Sequence, residues 1–162
     1  MTDCIIKGAP HLGCIYVDSM LGWLARFLRI VFGLKVTYSP NIDDVELLKT
    51  QCLVVTMDEE LFKNRRGPTI LLKTGDHIVW ISVFLSLGAK PFEKSTCPTC
   101  GGELAEVTCK EAESHVGHEI RSSQCWRCTS CGHIYWRGSH WRGIYDTVER
   151  ASLIQRPCLH IG

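Results

Sequence analysis

The stretch Ile15-Tyr16-Val17-Asp18-Ser19-Met20-Leu21-Gly22-Trp23-Leu24-Ala25-Arg26-Phe27-Leu28-Arg29 decides the fold. Three apolar residues read as a short buried strand, and an aspartate ends it. Met20, Leu21, Leu24, Leu28 and Val31 then recur at helical spacing, which predicts a helix over residues 20–32. Ser19 suits its N-cap and Gly33 its stop. The pattern repeats three more times. Residues 34–38 lead to Asp43 and Asp44, residues 53–56 to Asp58, and residues 69–72 to Asp76, each with a helical pattern behind it. Such alternation predicts an α/β domain with a small parallel sheet over residues 15–90. Successive parallel strands put their carboxyl ends on one edge, where open α/β sheets bind ligands.

Taken singly, each aspartate is a good helix N-cap. Four at the same topological place make a case for a cation site, because gathered carboxylates repel one another unless neutralised. Oxygen ligands of this kind suit Mg²⁺ or Mn²⁺. The candidate catalytic residues are therefore Asp18, Asp43, Asp44 and Asp58. Asp18 and Asp58 lead, since at most one residue separates each from its strand. Asp76 is weaker, because Thr74-Gly75 makes a turn before it. The chemistry supported is attack of water on a phosphodiester. Walker loops and GxGxxG are absent, which leaves nucleotide-triphosphate and hydride chemistry without support.

The chain has 162 residues, 45% of them hydrophobic, and a net charge of +1, so neither a basic tail nor an acidic one sets its partners. Its N-terminus lacks a basic run leading into a long apolar one, and residues 78–87 are too few to span a bilayer. These features predict a cytoplasmic protein with no membrane partner, whose ten cysteines are mostly reduced or metal-bound. Residues 1–14 read as an N-terminal extension in which free thiols are the favoured reading of Cys4 and Cys14, over a metal site or a disulfide. Residues 146–162 read as a C-terminal tail.

Residues 91–145 are different in kind. Cys97-Pro98-Thr99-Cys100-Gly101 and Cys128-Thr129-Ser130-Cys131-Gly132 are two CxxCG knuckles separated by 27 residues. Paired knuckles predict a structural Zn²⁺ site of Cys97, Cys100, Cys128 and Cys131. Cys125 leaves an alternative open, since Cys125-Trp126-Arg127-Cys128 is also CxxC. Residues 121–145 hold Arg121, Arg127, Arg137 and Arg142 and no acid, interleaved with Trp126, Tyr135, Trp136, Trp141 and Tyr145. Guanidinium groups for phosphates beside aromatic faces for bases is the pattern of single-stranded nucleic-acid contact. Packing of the tryptophans against the α/β domain is the other expectation. The candidate RNA-binding set is Arg26, Arg29, Arg127, Arg137, His140 and Arg142. Arg65 and Arg66, beside Lys63, read as a charged loop.

Asp18 to Arg29, Asp43 to Leu48, Thr56 to Leu61, the two knuckles and Tyr135-Trp136-Arg137-Gly138-Ser139-His140-Trp141 together resemble the Mut-seven C-terminal ribonuclease family. The resemblance runs from about Tyr16 to Tyr145. It implies a PIN-like fold with an attached zinc ribbon and a Mg²⁺- or Mn²⁺-dependent endoribonuclease acting on RNA. It also implies an acidic site of Asp18, Asp43 or Asp44, and Asp58, with Arg26 and Arg29 on a functional face. Trp23 stands where the family usually has lysine. The alternative function is a non-catalytic RNA-binding protein associated with the ribosome or its precursors.

Overall fold

The computed structural model describes residues 2–162. Four strands run parallel: β2 (Ile15–Val17), β3 (Val36–Thr37), β4 (Leu53–Thr56) and β5 (Thr69–Leu72). Two more join them, β1 (Cys4–Lys7) antiparallel to β5 and β9 (Leu159–Ile161) parallel to β1. The sheet order is β3-β2-β4-β5-β1-β9. After β2 the chain steps to one side to form β3, then returns past β2 to form β4. The strand order therefore reverses between β2 and β4, and the crevice beyond their carboxyl ends is the switch point at which such sheets hold ligands.

Strand side chains alternate between faces. Ile15, Val17, Leu53, Val55, Ile70 and Leu72 enter one core with α1 (Gly22–Phe32), α4 (His77–Ser86) and α6 (Trp141–Ser152). Tyr16 and Val54 face the other way, toward Leu47 of α2 (Asp44–Lys49) and Leu61 of α3 (Glu59–Asn64). The result is three layers, helix–sheet–helix. Helix α4 buries Val79, Trp80, Ile81, Ser82, Val83 and Phe84, nearly its whole circumference. That is possible because α6 packs along it and contributes Val148 and Ala151 to the same core. Helix α1 begins after a 3₁₀ turn at Ser19–Leu21 whose first N–H bonds Asp18, so Asp18 rather than Ser19 is the cap. Gly33 stops α1 in the left-handed conformation, as expected (φ +62°).

The segment expected as an N-terminal extension contributes β1 to the sheet. Cys4 and Ile6 are fully buried in β1, which fills the sheet between β5 and β9. The chain's end likewise supplies β9 instead of a loose tail. The expectation of reduced thiols fails for six of the ten cysteines, which form Cys4–Cys158, Cys14–Cys52 and Cys109–Cys125. The first ties β1 to the segment leading into β9, and the second ties the chain before β2 to the chain before β4.

Beyond the linker, β6 (Leu104–Val107), β7 (Cys125–Cys128) and β8 (Ile134–Trp136) make an antiparallel sheet in the order β6-β7-β8. Helix α5 (Cys109–Val116) closes over it through Ala112, Ile120 and Cys125. This ribbon core is small, which is the situation in which a metal adds folding energy.

Arg65 is not a loop charge. It is 2% exposed, and its guanidinium donates to the carbonyl oxygens of Leu47 (2.8 Å), Thr50 (2.5 Å), Pro68 (3.1 Å) and Cys52, with Nε on Thr69 Oγ1 at 2.9 Å. One side chain thus satisfies the backbone where α2 ends and β4 and β5 begin. Replacing it orphans those buried carbonyls. Arg65→Met is expected to cost about 3 kcal/mol or more of stability, read as a lower urea midpoint at unchanged slope.

Candidate active site and metal centre

The four leading aspartates all reach the expected edge. Asp18 follows β2 and is 3% exposed. Its Oδ1 accepts from the Ser19 N–H at 2.7 Å and its Oδ2 from Thr56 Oγ1 at 2.6 Å. Thr56 Oγ1 in turn accepts from the Asp58 N–H at 3.0 Å. A continuous hydrogen-bonded path therefore joins the acids at the ends of the two central strands. Asp43 caps α2 through the Val45 N–H, and Asp58 caps α3 through the N–H groups of Glu60 and Leu61. In both residues the capping bonds use Oδ1 alone, so the cap and the site readings coexist. Asp76 caps α4 in the same way.

The field at this edge is negative. The Asp44 carboxyl is held above its usual range, by partial desolvation first and then by the charges of Asp18, Asp58 and Asp43. No Lys, Arg or His stands within 4.0 Å of any of the four; the one side-chain ion pair among the described residues is Arg150 with Asp146 on α6. The carboxylates are spread along the edge, not drawn into a tight cage. Among the described residues, the four cysteines are the one such donor set whose ligand atoms lie within 4.8 Å of one another.

Thr56 is the residue of this edge that the sequence did not single out. It reads there as the last β-branched residue of an apolar strand. Its position two before Asp58 was the available signal, since a fully buried hydroxyl needs partners. Tyr38 is the other omission. Its hydroxyl donates to the Ser19 carbonyl at 2.9 Å and packs against Gly22, where an added Cβ would lie 2.6 Å away.

The knuckle cysteines come together as expected. Cys97, Cys100, Cys128 and Cys131 are able to hold a metal such as zinc. Gly101 (φ +78°) and Gly132 (φ +79°) supply the left-handed residue that closes each knuckle. Their N–H groups donate to the carbonyls of Cys97 at 2.7 Å and Cys128 at 3.0 Å. The ambiguity over Cys125 resolves in favour of Cys131, because Cys125 is bonded to Cys109. Without a metal the thiols disagree over protons. Burial opposes ionisation of Cys128, but N–H donors from Cys131 and Ser130, with the Cys100 thiol, bring it down to about 6. The His133 N–H favours ionised Cys131, yet desolvation and the neighbouring thiols push it up to about 12.

The six basic candidates separate. Arg26 is exposed on α1, and Arg137 and His140 line the same cavity that it lines, between α1, the ribbon and α6. Arg142 is exposed on α6 outside that cavity. Arg127 is exposed on the opposite face of β7 from Trp126, beside the Cys128 knuckle. Arg29 is the correction. It is 4% exposed, and its guanidinium donates to the carbonyls of Val36 (2.8 Å), Pro98 (3.1 Å) and Thr99 (3.3 Å). It belongs to the junction between the sheet and the first knuckle, so it has no face to offer RNA. Burial lowers its pKa, and the Cys100 and Cys97 thiolates oppose that shift. The Trp23 ring, in place of a lysine, stacks on His77 at 3.8 Å between centroids.

A parallel-dominated sheet followed by a ribbon whose four cysteines are able to hold a metal defines the class as an α/β domain with an attached cysteine ribbon. The model of the Mut7-C RNAse domain family matches residues 14–148, and the chain belongs to that family. No curated protein and no solved structure matches it significantly. Membership carries a ribonuclease-like function with RNA as substrate. No helix among the described residues is long and apolar enough to cross a membrane.

The cysteine assignment has a direct check. After chelation of the metal-loaded protein, iodoacetamide is expected to label Cys97, Cys100, Cys128 and Cys131, with the other six protected until reduction. Labelling of Cys109 or Cys125 in place of Cys131 would overturn the pairing.

Proposed function

We propose that this chain is a divalent-metal-dependent endoribonuclease that hydrolyses RNA phosphodiesters at Asp18, Asp43, Asp44 and Asp58. In this reading the ribbon binds structural Zn²⁺ and holds RNA. The observation that carries it is Asp18: a buried carboxylate at the sheet's switch point, hydrogen-bonded through Thr56 toward Asp58, with no cationic side chain beside it. Such a carboxylate is costly unless something positive meets it. Mg²⁺ or Mn²⁺, when bound, would activate an attacking water and stabilise the leaving oxygen. The protein's own part is positional. Thr56 and the Ser19 N–H fix the Asp18 carboxylate, and the helix caps fix Asp43 and Asp58. Asp44 makes no such bond and is the carboxylate best able to adjust or to take up a proton. Arg26, exposed one turn into α1, would meet the RNA backbone.

The test is cleavage of end-labelled structured and single-stranded RNAs with Mn²⁺, Mg²⁺ or EDTA. Asp58→Asn and Asp18→Asn are expected to reduce metal-dependent cleavage by about a hundredfold or more, with RNA affinity retained. Thr56→Val, which removes only an outer partner, should cost about ten- to hundredfold. Tight binding without cleavage under every metal would support the alternative, an RNA-binding protein docked on the ribosome or a precursor particle.

A further inference from the structure

The cavity shared by Arg26, Arg137 and His140 has a volume of about 450 Å³, within the usual range of small-ligand sites. Trp126, Trp136 and Trp141 also line it, and no Asp or Glu does. A groove of about 400 Å³ adjoins it, shares Arg26 and His140, and continues past Trp23. The lining combines flat aromatic faces with cations and excludes negative charge. An apolar peptide would have no use for the two arginines, and a lone phosphate none for three indoles. Arg137 is already set for a planar partner. Its guanidinium lies 5.6 Å from the Trp126 ring centroid and 5.1 Å from that of Trp141, with Nη1 on the Tyr145 hydroxyl at 3.4 Å. Guanidinium planes and indoles are the surfaces on which unstacked RNA bases lie.

We infer that this cavity is a capture site for one unstacked base of single-stranded RNA, with Arg26 and His140 meeting the adjoining phosphates. This rests on the reading of RNA as ligand and adds a place where base identity is felt. Gly22, Arg26 and Ile30 recur every four residues along α1, which begins one 3₁₀ turn after Asp18. Arg26 lies one turn into α1, and Asp18 lies just ahead of that helix. The captured base would therefore lie a short way along the strand from the bond to be cut, and its fit would help choose that bond.

The experiment uses the full zinc-loaded chain without Mg²⁺ or Mn²⁺, so that cleavage plays no part. Tryptophan fluorescence is titrated with hexaribonucleotides of A, C, G or U and with an abasic hexamer of the same charge. Three of the five tryptophans line the cavity, so stacking is expected to quench. At least one base-bearing hexamer should bind about tenfold more tightly than the abasic one. Trp126→Ala should erase that difference, and Trp126→Phe should keep most of it. Arg137→Ala, a change outside the ribbon core, should weaken base-bearing hexamers more than the abasic one. Equal affinity for abasic and base-bearing strands, or a preference untouched by Trp126→Ala and Arg137→Ala, would overturn the proposal. Base-selective quenching in a protein that never cleaves would sink the nuclease reading and keep the pocket. Metal-dependent cleavage with no base-selective quenching would do the reverse.

Discussion

The parallel pairing of β2 with β4 is the constraint on which the site depends. Its register, Ile15 to Leu53, Tyr16 to Val54 and Val17 to Val55, places Asp18 just past the end of one strand beside Thr56 at the end of the other. The Asp18 N–H continues the ladder onto the Val55 carbonyl at 3.0 Å. A slip of β2 by one residue would turn Tyr16 toward the α1 side and break the Thr56–Asp18 bond. Cys14–Cys52 sits just before both strands, and Arg65 holds the carbonyls of Thr50, Cys52 and Pro68. Both devices act at the amino ends of the central strands, so the carboxyl ends remain open for chemistry.

A second junction joins the two halves of the molecule. Helix α1 ends where its last carbonyls would lack partners, and the linker to the ribbon supplies them. Phe92 N–H donates to Val31 and Thr96 N–H to Arg29, each at 2.8 Å, and the Ser95 hydroxyl donates to Ile30 at 2.6 Å. Arg29 crosses the junction in the opposite direction, from α1 to the knuckle carbonyls of Pro98 and Thr99. Its Nε is buried with no partner, a loss accepted beside the Cys97 and Cys100 sulfurs. A tetrathiolate zinc site carries net negative charge, and a buried guanidinium next to it offsets that charge. The ribbon is thus seated on α1 by backbone bonds and by one cation, not by a broad apolar face.

Most of the sheet and the acidic edge were legible because each depends on local pattern. Strands 53–56 and 69–72 appear with the expected limits, since β-branched runs bounded by turn residues leave little choice. What was not legible depends on contacts far apart in sequence. Cys4 pairs with Cys158 across a separation of 154 residues, so neither the N-terminal strand nor its bond is visible in residues 1–14. Arg26 and Arg29 have the same local surroundings on paper. Only the arrival of the linker at the C-terminal turn of α1 makes one a surface charge and buries the other. Arg65 and Arg66 divide in the same way, Arg65 buried and Arg66 exposed.

That division has a functional consequence. A helix that carried both arginines outward would present RNA with two competing anchors along one face. Burying Arg29 in the junction leaves Arg26 as the outward-facing arginine on α1, between the acids at the helix start and the aromatic cavity at the ribbon. The same bonds that fix Arg29 fix the ribbon's position, and with it the distance from Trp126 and Arg137 to Asp18. On the proposed reading, α1 and the 3₁₀ turn before it set the spacing between a base held at the ribbon and a bond presented at the sheet edge. Loss of the metal would loosen the knuckles that Arg29 grips. On the proposed reading the acids would be untouched, and the choice of bond would suffer before the capacity to cut.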